Sequence, residues 1–308
     1  MNLPVVPGTQ ADALILAVLI LSVLTLGSLG GVWLKRRVAR GQPHATIDNV
    51  VERVKSWWLL AGLVGLAFWI GPPGITGLFA LAAWLALTEY LPAGRGAPSE
   101  RLARRLAFWG VLPLQFILAV PAGGLWLLLP VAAAVVLLQW PRGPARRWSA
   151  PLQAGLLLCV LGISFVPALP ALAPPGRGPY LLMFLLLVSQ LGDVFQYLWG
   201  QLAGRRPLAP AISPGKTVEG LVGGVASATV LGAALAWTTP FTALGAAGAA
   251  LLIALAGVLG GLLLSAAKRR RGIKDWSSRI PGHGGVLDRL DSLCLSAPLF
   301  YLLLSLAA

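Results

Sequence analysis

Cysteine and histidine are nearly absent, with two of each in 308 residues. Cys159 and Cys294 both lie inside apolar runs, and no loop holds a cysteine. That excludes a disulfide framework and any cysteine-based metal spacing, and leaves both thiols as small core residues. Charge is scarce as well. Asp, Glu, Lys and Arg make up 11% of the chain, against about 25% in a soluble domain. Acids are the scarcest charged class, ten against 24 Lys and Arg. No phosphate-binding loop of the Walker type is present: Gly215-Lys216-Thr217 has Pro210 where that motif needs glycine. The basic residues near the N-terminus follow the first apolar run and do not precede it, so that run reads as a membrane span and not as a signal peptide.

Apolar sequence is what the chain has in abundance, at 57%. A spanning helix needs about 20 mostly apolar residues. Ten stretches qualify as candidates: 12–34, 57–71, 75–91, 106–121, 124–140, 152–171, 180–199, 218–238, 241–264 and 288–306. The expected fold is therefore an all-α polytopic integral membrane protein of about ten transmembrane helices. Gly71-Pro72-Pro73-Gly74, Pro121-Ala122-Gly123-Gly124 and Thr239-Pro240 mark tight hairpins between them.

Charge position tests that count. With both termini on the non-cytoplasmic side, the cytoplasmic segments are 35–56, 92–105, 141–151, 200–217 and 265–287. These segments, with Arg289 just beyond the last, hold 23 of the 24 Lys and Arg, and only Arg177 falls on the other side. This is the positive-inside pattern. The net charge of +14 is then a topology signal and an attraction to anionic head groups, not a sign of nucleic acid. Three parts are expected: residues 1–56, a first span plus a cytoplasmic interfacial helix with Ile47, Val50, Val51 and Val54 on one face; 57–175, a spanning scaffold; and 176–308, a catalytic part with cytoplasmic loops 200–217 and 265–287. Residues 92–105 and 141–151 read as Pro/Gly/Arg loops. His44 reads as solvated, and Glu89 as pairing with a loop arginine near the end of its span.

Two polar islands interrupt the apolar pattern. The first runs from Ser265 to Asp291 and holds three of the ten acids, seven of the 24 Lys and Arg, and His283. Basic residues alone would set topology, but acids contribute little to it, so Asp275, Asp288 and Asp291 need another reason. The second island, 189–220, places Asp193 inside a span, where a lone carboxylate is costly and a functional candidate. Gln196 follows three residues later on the same face. Glu219 opens the next span, and Ser213 to Thr217 precede it, where free backbone N–H groups suit an anion. Asp288 and Asp291 are three apart and share one helical face. Grouped carboxylates with a single imidazole nearby suit a hard cation such as Mg²⁺. Lys216, Lys274, Arg279 and Arg289 suit phosphate oxygens, and Gly282, Gly284 and Gly285 let backbone approach a ligand closely. These are the parts for phosphoryl or nucleotidyl transfer between a lipid phosphate and a nucleotide.

At these residues the chain resembles the phosphatidate cytidylyltransferases, also called CDP-diacylglycerol synthases. The resemblance lies in Ser265, Lys268-Arg269, Lys274-Asp275, Ser277, Ile280-Pro281, His283-Gly284-Gly285, Asp288-Arg289 and Asp291. It extends upstream to Asp193, Tyr197, Gly200, Gly204, Ser213-Pro214, Lys216-Thr217 and Glu219-Gly220. Ala267 stands where a larger apolar residue is usual, and Val218 where Trp is common. The Gly192–Gln196 run looks like a divergent bacterial branch.

The resemblance implies transfer of CMP from CTP to phosphatidic acid, giving CDP-diacylglycerol and pyrophosphate. It implies Mg²⁺, alone or with a second cation, and a site on the cytoplasmic face of a bacterial inner membrane. It implies CTP, phosphatidic acid and membrane lipids as partners, and leaves a homodimer open. On this reading Asp288 and Asp291 hold metal, with Asp193 and Asp275 completing the cluster. Lys216 and Lys274 neutralise CTP phosphates, and Arg289 or Arg279 holds the lipid phosphate. Ser213, Thr217, Gly284 and Gly285 line the substrates, and His283 hydrogen-bonds phosphate or the turn. The bases Lys268 to Arg271 are read as mainly topological. Alternatives are a CTP-dependent lipid kinase, a polyprenyl-phosphate cytidylyltransferase, and a transporter.

Overall fold

The computed structural model describes residues 10–38, 45–91, 98–139, 146–280 and 284–307. Among these residues the chain forms α1 (Gln10–Arg37), α2 (Ala45–Ile70), α3 (Pro72–Tyr90), α4 (Pro98–Ala122), α5 (Gly124–Leu137), α6 (Ser149–Leu172) and α7 (Gly178–Ala203). A hairpin of β1 (Pro207–Ala209) and β2 (Ser213–Thr217) follows, then α8 (Val218–Ala234), α9 (Ala243–Arg270) and α10 (Leu287–Ala307). Every expected apolar stretch falls on one of these helices. Six of them, α1, α4, α6, α7, α9 and α10, are long and apolar enough to cross a membrane. The apolar stretches Val54–Ile70, Gly124–Leu137 and Val218–Ala234 have at most 17 residues. That is about 25 Å at 1.5 Å per residue, against a hydrocarbon core of about 30 Å.

Local chemistry accounts for three departures from the sequence reading. The interfacial helix expected before Trp57 is not a separate element. No Gly or Pro interrupts the chain from Ala45 to Ala61, and α2 runs through as one helix, so the boundary drawn at residue 56 falls inside it. A Lys35–Asp48 ion pair of 2.8 Å and a 3.0 Å bond from the Trp58 indole N–H to Ser28 Oγ tie α2 to α1. The loop expected over 92–105 is helical from Pro98. Proline suits a first helical turn, Glu100 follows it there, and Arg104 donates to the carbonyl of Leu91 at 2.9 Å. The loop 200–217 contains an antiparallel hairpin pairing Pro207 with Thr217 and Ala209 with Ser213, a small exception to an all-α fold. Thr217 then caps α8, its Oγ1 accepting from the N–H of Gly220 at 3.0 Å.

The tight turns are as expected. Gly71, Gly123 and Gly124 all take positive φ, a region that other residues adopt at a cost. The N–H of Gly124 donates to Tyr301 Oη at 2.9 Å, which pins the α4–α5 turn to α10. Helix α10 is central: α3, α6, α7 and α9 all pack against it. Phe184 of α7 and Phe300 of α10, both fully buried, meet with ring centroids 5.4 Å apart. Cys159 and Cys294 are buried and unpaired in this core. Arg177, at the start of α7, donates to the carbonyl of Trp237 beyond α8 at 2.7 Å. The hairpin and residues 271–280 lie at the opposite ends of those helices.

Gly162 of α6 faces α10 so closely that a Cβ would overlap the Cys294 carbonyl, whereas one at Gly65 meets nothing within 4 Å. Gly162→Ala should cost about 1–3 kcal/mol by overpacking. In detergent it should unfold several degrees lower than wild type, and Gly65→Ala should not.

Candidate active site

The site is built around the first turns of α10. Asp288 is 7% exposed and Lys268, at the end of α9, is 8% exposed. Lys268 Nζ donates to Asp288 Oδ1 at 2.6 Å. Asp288 Oδ2 accepts the backbone N–H groups of Trp276 and Gly285, both at 2.9 Å. One carboxylate thus ties together the end of α9, Trp276 and the start of α10. Gly284, at φ +81°, brings the backbone within reach: a Cβ there would stand 2.8 Å from Asp288 Oδ2. Its carbonyl accepts from the N–H of Ile280 at 2.8 Å, closing the turn.

A second carboxylate locks the same place from the scaffold side. Glu89, near the end of α3, is 1% exposed at its side chain. Its oxygens accept from Ser277 Oγ at 2.7 Å and from the N–H groups of Val286 at 3.1 Å and Leu287 at 2.9 Å. Those N–H groups have no partner within α10 itself, so the charge of Glu89 sits at the positive end of the helix. Gly285 has no Cβ to block it. Glu89 also pairs with Arg279 at 3.5 Å, an arginine remote in the chain and not one of the loop following its own span. Its hold on α10 was not foreseen. A carboxylate alone in a span was the available signal, and nothing in the sequence names a partner nearly 200 residues away.

The remaining acids divide differently. Asp193 of α7 and Asp291 of α10 are close enough for their charges to interact, and both feel Lys216 and Arg289. Ser292 is 2% exposed. Its Oγ accepts from Ser189 Oγ at 3.1 Å, one turn before Asp193 on α7, and its N–H donates to Asp291 Oδ1 at 2.8 Å. Helix α9 passes this spot on glycines. A Cβ at Gly260 would overlap the Asp291 carbonyl, and one at Gly261 would stand 3.3 Å from Lys216 Nζ and 3.6 Å from Asp291 Oδ2. Lys216 therefore reaches from β2 across α9 to Asp291. Arg289 keeps a buried Nε with no hydrogen-bond partner among the described residues.

The expected cluster of Asp193, Asp275, Asp288 and Asp291 around one metal is not what the chain forms. Among the described residues no group of three or more His, Cys, Asp or Glu side chains could hold a metal ion. Asp288 spends its oxygens on Lys268 and two backbone N–H groups. Asp275 and its neighbour Lys274 are exposed, with no hydrogen bond or ion pair among the described residues. Glu219 is committed to the hairpin, accepting from the N–H groups of Arg205 and Arg206 and from Arg206 Nε at 3.0–3.1 Å. What remains is the Asp193–Asp291 pair.

The basic run is also corrected, because Lys268 is a buried counter-ion and not a topology signal. Arg269 donates to the carbonyls of Ile212 and Ile273 at 3.0 and 3.1 Å. Arg271 bonds the Tyr90 carbonyl and lies 4.6 Å from that ring's centroid. Ser213 and Thr217 sit in and at the end of β2, Thr217 being used as the α8 cap. Gly284 and Gly285 make room for Asp288 and Glu89. His283 and Gly282 lie outside the described residues, as does His44.

Comparison with known proteins gives the family. The sequence model of the Cytidylyltransferase family matches residues 51–307. The "Phosphatidate cytidylyltransferase" of Haemophilus influenzae is 34% identical over 218 residues, 69% of this chain and 72% of that protein. The protein of the same name from Brucella abortus is 33% identical over 268 residues, covering 83% and 93%. The "Uncharacterized protein YnbB" of Escherichia coli is 36% identical over 278 residues, covering 84% and 88%.

The Lys268–Asp288 pair makes an asymmetric prediction. Lys268→Met strands a buried carboxylate and should cost about 3–5 kcal/mol. Lys268→Met/Asp288→Asn removes the charge while keeping an acceptor for the two N–H groups, and should regain most of that loss. Unfolding temperatures of the single and double variants check it; a double variant no better than the single would contradict it.

Proposed function

The chain belongs to the cytidylyltransferase family, and from that premise we infer that it transfers CMP from CTP to the phosphate of phosphatidic acid. The products are CDP-diacylglycerol and pyrophosphate. The observation that carries this reading is the Asp193–Asp291 carboxylate pair beside Lys216 and Arg289, at the end of the helices where the basic loops gather. Membership in the family removes the transporter alternative.

The pair fits a divalent cation. The two carboxylates are near enough for their charges to interact, neither forms an ion pair within 4 Å among the described residues, and all donors are hard oxygens. Asp193 and Asp291 would hold Mg²⁺, which when bound neutralises charge on the reacting phosphates. Lys216 and Arg289 supply fixed positive charge on either side of the pair. Arg289 offers its unpartnered Nε–H to a phosphate oxygen, and exposed Lys274 is free to meet the nucleotide's phosphates.

In the reaction a lipid phosphate oxygen attacks the α-phosphorus of CTP. The bond from that phosphorus to the α–β bridging oxygen breaks, and pyrophosphate leaves with the electron pair. A phosphate monoester has its second pKa near 6 and is largely dianionic at neutral pH. No general base is needed, and His283 is not assigned one. The obstacle is the meeting of two anions, which the cationic side chains offset.

The ten helices, all read as spans, put both termini on the non-cytoplasmic side. The site then faces the cytoplasm across a bacterial inner membrane, where CTP is available and the basic loops meet anionic lipid. Association as a homodimer belongs to the same proposal.

Purified protein incubated with labelled CTP, Mg²⁺ and phosphatidic acid should release pyrophosphate and form a CDP-lipid. Release of CDP would indicate a lipid kinase, and activity confined to polyprenyl phosphate would reassign the acceptor. Asp291→Asn should abolish turnover. His283→Ala should keep it within about tenfold, short of the ~10²–10⁴ loss that removing a general base brings.

A further inference from the structure

A cavity of about 640 Å³ lies between the end of α3 and the 271–279 loop. Its polar wall is Thr88, Glu89, Arg271, Trp276, Ser277 and Arg279. The oxygens in that wall are already engaged. Glu89 accepts from Ser277, Val286, Leu287 and Arg279. Thr88 Oγ1 donates to the Leu85 carbonyl at 2.6 Å and accepts from Arg279 at 3.0 Å. Ser277 Oγ donates to Glu89 and accepts the N–H of Arg279.

Donors are left over. Trp276 is 8% exposed, and its indole N–H is buried with no hydrogen-bond partner among the described residues. Only one terminal nitrogen of Arg279 is engaged. Arg271 is likewise bonded through one terminal nitrogen, with its guanidinium held 4.6 Å from the Tyr90 ring centroid and 5.1 Å from that of Trp276. A wall with two guanidinium groups, its carboxylate bound internally, suits an anion and not a cation. Guanidinium forks match phosphate in particular.

Hydrogen bonds tie the cavity wall to the start of α10. Trp276 donates its backbone N–H to Asp288. Glu89 holds the N–H groups that open α10, and Asp291 lies one turn further on. We propose that this cavity is a phosphate subsite, seating a phosphate group of one of the two substrates beside the Asp193–Asp291 pair. The identity of those substrates rests on the reading above. CTP and phosphatidic acid offer the same chemistry, and the experiment separates them.

Full-length wild type, Arg279→Gln, Arg279→Lys and Trp276→Phe are purified in detergent. KM is measured for CTP at saturating phosphatidic acid, and for phosphatidic acid in mixed micelles at saturating CTP, with inhibition by inorganic pyrophosphate. Losing a hydrogen bond to a charged group should raise one KM about tenfold in Arg279→Gln, more than kcat falls. Arg279→Lys should recover part of it, and Trp276→Phe, which keeps an aromatic wall, should change that KM less than Arg279→Gln does. A rise in the CTP KM with weaker pyrophosphate inhibition assigns the cavity to the nucleotide. A rise in the phosphatidic acid KM alone assigns it to the lipid. Both KM values within twofold of wild type overturn the proposal, as does a lowered unfolding temperature with equal loss in both KM values. Equilibrium binding of labelled CTP and of phosphatidic acid micelles to the same proteins reads the cavity without turnover. Failure of the wild type to make CDP-lipid therefore counts against the function and not against the subsite.

Discussion

The buried pair of Lys268 and Asp288 is the contact on which the site depends. Burying an ion pair gains little net stability over an apolar substitute, because desolvation cancels most of the attraction. Its value here is geometric. Asp288 accepts from a side chain on α9 and from two backbone N–H groups in the loop. That set of bonds allows one arrangement of three segments. Glu89 repeats the device from α3, binding the loop through Ser277 and the helix through Val286 and Leu287. Between them the two carboxylates hold the start of α10, and therefore the placement of Arg289 and Asp291.

This makes α10 the meeting point of two halves. The scaffold half contributes Glu89 and Tyr90 from α3, and the family-signature half contributes α7, α9 and the hairpin. The division at residue 176 drawn from sequence follows where the motifs lie, but the packing does not respect it. Close approach is what lets α10 serve both halves. Gly162 admits the Cys294 carbonyl from one side, and Gly260 admits the Asp291 carbonyl from the other. Small residues at such contacts are the usual way for membrane helices to bring backbones together.

Much of the fold was legible because it rests on composition along the chain. All ten apolar stretches became helices, and the Gly/Pro turns fell where glycine alone takes positive φ at low cost. The site was legible as a set of residues but not as a geometry. Lys268 is one of four consecutive bases, and sequence cannot tell the one facing inward from its exposed neighbours. Glu89 looked like an isolated acid because its partners are remote in the chain. Gly284 and Gly285 were read as clearance for a ligand, and they clear the way for Asp288 and Glu89. Each miss has one cause: a polar group's partner is set by tertiary contact, and local pattern carries no record of it.

That cause bears on how the acids should be weighed. In a chain with only ten, a motif that concentrates them invites the inference that all serve one metal. Hydrogen bonding sorts them instead. Asp288, Glu89 and Glu219 have their oxygens taken by backbone N–H groups and fixed cations, so they act as structural joints. Asp193 and Asp291 form no ion pair within 4 Å among the described residues, and of the two only Asp291 takes a backbone N–H, that of Ser292 at 2.8 Å. A carboxylate already satisfied by its own protein has little to gain from a metal. One held against a like charge has much to gain. If Asp193 and Asp291 hold the metal as proposed, the line between scaffold and chemistry runs through the signature motif itself, between Asp288 and Asp291, three residues and less than one helical turn apart.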